Sequence, residues 1–80
     1  MEKLEFETDN LNAYNIENKL KKFYDLGCVH SSNFMEIEVG IGNRYVIIGD
    51  KKDIEFSCTV GKTKNDKYLV MINPIRITRK

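Results

Sequence analysis

The sequence predicts an α+β domain: one amphipathic helix packed on a mainly antiparallel sheet of five to six strands, in the order β-α-β-β-β-β. Three observations carry this reading. Residues 3–8 alternate as a strand does, with Leu4 and Phe6 on one face between charged neighbours. From about Leu11 to Leu26 the apolar spacing changes to three and four. Beyond Gly27 the helical period does not return, and short apolar or alternating runs are separated by Gly, Asn, Asp and Ser clusters.

In the first strand Leu4 and Phe6 share a face. Asp9 and Asn10 then offer helix-capping side chains. Ala13, Ile16, Leu20, Phe23 and Gly27 form the apolar stripe of the helix, and Glu17 and Lys21 sit at i, i+4 on its solvated side. Gly27 suits the residue after the helix because it tolerates positive φ. Cys28 to His30 predict a short strand. Residues 34–39 predict another, with Met35, Ile37 and Val39 on one face and Phe34, Glu36 and Glu38 on the other. Gly40 to Asn43 read as a turn, followed by the apolar run Tyr45 to Ile48. After a second turn at 49–53, residues 54–60 alternate most cleanly: Ile54, Phe56, Cys58 and Val60 against Glu55, Ser57 and Thr59. A polar loop at 61–67 leads to the apolar run 68–72. Asn73-Pro74 interrupts the pairing, since proline has no N–H to donate. Ile75 to Arg79 resume the strand.

Runs 45–48 and 68–72 are apolar on both faces, while one helix covers one face. The expectation is that the sheet curls toward a barrel or that a second subunit, in a homodimer, covers it. The two ends carry opposite charge: acids alternate with apolar residues in 2–7 and bases in 75–80. They are expected to pair, Glu5 and Glu7 facing Arg76 and Thr78, with Leu4 and Phe6 beside Ile75 and Ile77.

Eighty residues make a single domain, 1–80, with a small core. An apolar fraction of 41% with 31% charged residues is that of a globular protein. No run approaches the roughly 18 apolar residues of a membrane span. The start, Met1 to Glu5, is acidic where a secretory leader would be basic, so a cytoplasmic location is expected. Cys28 and Cys58 then read as free thiols. Heavy use of Lys, Asn and Ile points to AT-rich coding, as in low-GC bacteria and their phages.

No catalytic, cofactor or metal constellation emerges. Val60-Gly61-Lys62-Thr63 lacks the upstream glycine of a P-loop (Phe56 stands there) and the helix that should follow. Cys28, His30 and Cys58 are too few for structural zinc. Cys58, in mid-strand on the apolar side, is placed to be inert rather than nucleophilic. The chain is therefore expected not to be an enzyme.

Net charge is +1, unevenly placed: eight acids and four bases in residues 1–40, four acids and nine bases in 41–80. In a meander Arg44, Lys62, Lys64 and Lys67 are expected at one end, beside Tyr45 and Tyr68. The leading expectation is a non-catalytic protein-binding module, in its narrowest form a phage or mobile-element product that blocks a host enzyme as anti-CRISPR proteins do. Its contact surface is either the outward row Phe34, Glu36, Glu38 or the basic end. One alternative is a single-stranded nucleic-acid binder that uses those bases and tyrosines. Another is a dimer that sequesters a nucleotide or small ligand.

Overall fold

Alternation over residues 54–60 builds the central strand of the sheet, because every second side chain points to the same face. The computed structural model describes residues 2–34 and 36–80, with the side chain of Ile41 excepted. Its elements are β1 (Leu4–Thr8), α1 (Ala13–Phe23), β2 (Val29–Ser32), β3 (Gly40–Gly49), β4 (Lys52–Lys62) and β5 (Tyr68–Arg79). The five strands form one sheet in the order β1-β5-β4-β3-β2, every neighbouring pair antiparallel. The α+β class and the element order are those the sequence predicts.

One face of the sheet carries the core. Ile54, Phe56, Cys58 and Val60 of β4, Ile47 of β3, and Val70 and Ile72 of β5 are buried there with Ile16 and Leu20 of α1. Tyr24 and Leu26, just past the helix, close one end of this core. The helical stripe thus turns from Leu20 to Tyr24, while Phe23 stays 43% exposed.

The sheet is open, not closed into a barrel. Its second face is polar along the central strand, where Asp53, Glu55, Ser57 and Thr59 stand. Hydrated side chains there remove the need for a cover. Val46 and Ile48 of β3 and Leu69 and Met71 of β5 flank that polar row.

Asn12, not Asp9 or Asn10, caps the helix: its side chain accepts a hydrogen bond from Asn15 N at 3.2 Å. At the other end Tyr24 N donates to Leu20 O and Leu26 N to Lys21 O, both at 3.0 Å. The first is the last bond of the helix and the second is the 6→1 bond of a Schellman end, with Asp25 at φ 54° in the left-handed position where Gly27 was expected. Gly27 also has positive φ, two residues later, where a Cβ would run into the Asp50 carboxylate.

Two strand boundaries differ from expectation. Residues 34 and 36–39 form no strand, and Met35, assigned a face of one, lies outside the described residues. Gly40 to Asn43 are not a turn but the start of β3, with a register shift between Gly40 and Asn43 against β4. Pro74 does not break β5. A bulge takes it up, since Glu55 pairs with Arg76 and Phe56 with Pro74, leaving Ile75 as the extra residue.

The chain's ends also pair differently. β1 lies beside β5, but against its first half, with Glu5 opposite Met71 and Glu7 opposite Leu69. Among the described residues the basic half of β5 pairs only with β4, where Arg76 stands opposite Glu55 and Thr78 opposite Asp53. Apolar contact decides this: Leu4 and Phe6 join Ile72 and Val70 over the core.

Two buried acids of weak strength set the alkaline limit of the fold. Tyr24 donates its hydroxyl to Glu2 O at 2.7 Å. Burial, and then the Glu2 carboxylate, push this phenol up from 10 to about 12. Burial pushes the Cys58 thiol up from 9 to about 11. Both raised values favour the neutral form in the folded state. Their contribution is complete below about pH 9 and is lost as pH rises through 9–11 for Cys58 and 10–12 for Tyr24. The urea midpoint is therefore expected to hold from neutral pH to about 9 and then fall. Tyr24→Phe should lower stability by about 1 kcal/mol at neutral pH, for the lost hydrogen bond, and flatten the fall between pH 10 and 12. An unchanged slope in that window would contradict the assignment.

Candidate functional site

The most sharply built surface feature lies where the sheet loses a strand. Asn33 ends β2 by substituting its side chain for backbone. Its N donates to Val46 O at 3.2 Å, and its Oδ1 accepts from Val46 N at 2.6 Å. Phe34 N donates to Ser32 Oγ at 3.0 Å, and the chain turns off the ladder. Phe34 then plunges into the core, 3% exposed. Its ring meets Tyr45 edge-on at 4.7 Å and Phe56 at 5.5 Å. Tyr45 in turn donates its hydroxyl to Glu36 O at 3.0 Å, which holds the departing segment at a fixed height.

The departure has two consequences. Among the described residues, β3 from Gly40 to Tyr45 has β4 on one side and no strand on the other. Beside that bare edge opens a groove of about 590 Å³, lined by Asn33, Glu36, Glu38, Asn43, Arg44 and Tyr45.

The groove unites members of the two candidate surfaces. Glu36 and Glu38 come from the proposed acidic row, Arg44 and Tyr45 from the proposed basic end. Phe34 is not outward with the two acids; it is the buried anchor beneath them. The reason is aromatic packing on Phe56, which no local alternation reveals.

The basic end is not one patch. Arg44 pairs with Ser57, and Lys62 with Tyr68, five residues further along β4 or roughly 17 Å of strand. Arg44 shares the open face with Ser57, whereas Lys62 is in phase with Val60 on the helix face. Each of three bases also has an acid at hand: Arg44 has Glu55 at 3.6 Å, Lys62 has Asp66 at 2.9 Å, and Lys67 has Asp9 at 3.8 Å. The hydrogen bond to Asp66 holds the Lys62 ammonium above its ordinary pKa. Lys64 has no such partner among the described residues. Such exposed pairs add little stability but dilute the local field. Lys62 Nζ covers the Tyr68 ring at 4.4 Å from its centroid, and the Tyr45 ring is engaged by Phe34 and Phe56. Two stacking platforms are thereby occupied from within.

Among the described residues no three His, Cys, Asp or Glu side chains gather as metal ligands would. Cys58 is buried in mid-sheet with its thiol held protonated, and Cys28 is exposed at the entry to β2. Among the described residues no helix is long and apolar enough to cross a membrane.

Asn33 and Asn43 were missed as lining residues. The Ser31-Ser32-Asn33 cluster carried a signal, since such residues bond to nearby backbone and end strands. The chain matches no protein-family model, no curated protein and no solved structure.

Proposed function

We propose that this chain is a non-catalytic protein-binding module that takes up an extended segment of a partner along β3, residues 40–45. The bare half-edge beside the acid-rimmed groove is the observation that carries this reading. An unpaired strand edge offers N–H and C=O groups at strand spacing, and an incoming strand satisfies them. Alternate side chains of that strand would enter the groove, where Glu36 and Glu38 select basic residues. Charge at this rim would speed encounter more than it would tighten the complex. The narrowest version is an inhibitor carried by a phage or mobile element, occupying a basic surface of a host enzyme.

The test is a titration with a labelled peptide of alternating arginine and valine, followed by amide chemical shifts. Saturable binding with shifts concentrated in residues 40–45 is expected. Glu36→Lys with Glu38→Lys should weaken it at least tenfold, about 1.4 kcal/mol. Shifts confined to another surface, or no binding, would refute the site. Binding of a single-stranded oligonucleotide at about 50 mM salt, with a steep loss on adding salt, would favour the nucleic-acid reading instead.

A further inference from the structure

The opposite edge of the sheet is stepped. β1 is the outermost strand and covers only residues 68–72 of β5. Residues 73–79 of β5 pair with β4 on one side and, among the described residues, with no strand on the other. On the open face of this edge β1 presents Glu5 and Glu7, and the uncovered half of β5 presents Arg76; all three are exposed. None of them has an ion-pair partner among the described residues. On the helix face, Leu4, Phe6 and Phe23 line an apolar groove of about 340 Å³ beneath Lys19 and Lys22. Ile75 is 40% exposed, and Ile77, on that face, is half-buried.

We propose that two copies of this chain interlock along this edge, the β1 of each seated in the step of the other, against residues 73–79 of the partner's β5. A two-fold axis perpendicular to the sheet makes both contacts at once, so the assembly closes as a dimer. It also keeps the helix faces of the two copies on the same side. The acids of β1 then meet Arg76, and the isoleucines of 75–77 meet the apolar groove. Within one chain β1 and β5 are antiparallel, and the axis reverses β5, so the intermolecular pair is parallel. The acidic and basic strands that the sequence marks as partners thus meet between copies rather than within one. The contact leaves the β3 edge free, so it stands or falls separately from the proposed peptide site.

Sedimentation velocity decides it. At low salt and about 100 µM the wild type is expected to sediment at twice the 9.3 kDa of one chain and to shift toward monomer as salt is raised. Glu5→Lys with Glu7→Lys should be monomeric alone, because base then faces base in both contacts. Arg76→Glu should be monomeric alone, because acid faces acid. Mixed in equal amounts, the two variants should form a heterodimer, since opposite charges meet in both contacts. All of these residues are exposed, and thermal melts of each variant verify the fold. A monomeric wild type, or variants that dimerise alone as well as the wild type does, would overturn the proposal. So would well-folded variants that stay monomeric when mixed.

Discussion

Phe56→Ala is expected to cost about 3–5 kcal/mol, the loss of a fully buried aromatic ring plus the cavity it leaves. A domain of this size holds roughly 4–12 kcal/mol in total, so the variant should be near or past its unfolding point at ambient temperature. The position is the hub of the molecule. Phe56 is wholly inaccessible, in mid-strand on β4, and carries both Phe34 and Tyr45 on its ring. Removing it strips support from the segment that walls the β3 groove, so fold and candidate site should fail together. Phe23→Ala, at a ring 43% exposed, serves as the comparison and should cost under about 1 kcal/mol. Urea unfolding followed by circular dichroism measures both. A Phe56→Ala variant within 1 kcal/mol of wild type would mean the core can collapse around the gap.

Gly49→Ala is expected to cost about 3 kcal/mol, at the upper end of overpacking effects, because backbone rather than side chain stands in the way. A Cβ at this position would overlap the Leu26 carbonyl oxygen and come within 2.7 Å of Lys52 O. The Leu26 carbonyl, the nearer of the two, is held in place. Leu26 O accepts from Lys51 N at 2.9 Å, and Asp50 N donates to Cys28 O at 2.9 Å. Cys28 N donates in turn to Asp50 Oδ1 at 2.9 Å. These bonds tie the end of the helix, the start of β2 and the β3–β4 turn into one junction, and Gly49 is the point of closest approach. Gly61→Ala is the control. Its Cβ would meet nothing within 4 Å, so it should be neutral or stabilise by about 0.4–1 kcal/mol through the unfolded chain. Equal effects at the two glycines would show that the cost is one of strand propensity and not of contact.

The alternation of 54–60 and the three-and-four spacing of the helix were legible because each is a property of neighbours in sequence. Ile54, Phe56, Cys58 and Val60 face the core as their spacing requires. The same logic misplaced Phe34. Its alternation with Glu36 and Glu38 is real in the sequence, yet the segment does not follow it. The Asn33 side chain ends the ladder, and a buried aromatic contact with Phe56, far along the chain, outweighs local periodicity. Of the candidate site, Glu36, Glu38, Arg44 and Tyr45 were legible as chemistry, but not as members of one groove. Their meeting depends on where Asn33 turns the chain off the ladder.

Register shows the same division. A period of two specifies which face a strand residue takes, and leaves sliding by two residues undecided. Leu4 and Phe6 face the core as read, but they slide to Ile72 and Val70 rather than to the isoleucines at 75 and 77. The gain is apolar area buried under α1, larger than the 0.2–1 kcal/mol or so of an exposed cross-strand charge pair. The sequence by itself determined the kinds of element, their order, and which side chains turn inward, since those follow from short-range periodicity. Only the tertiary structure decided the register of β1, the open sheet, the end of the β2 ladder at Asn33 and the bare edges found among the described residues. Those depend on contacts between residues distant in the chain, where buried area and backbone hydrogen bonds outweigh local charge pattern.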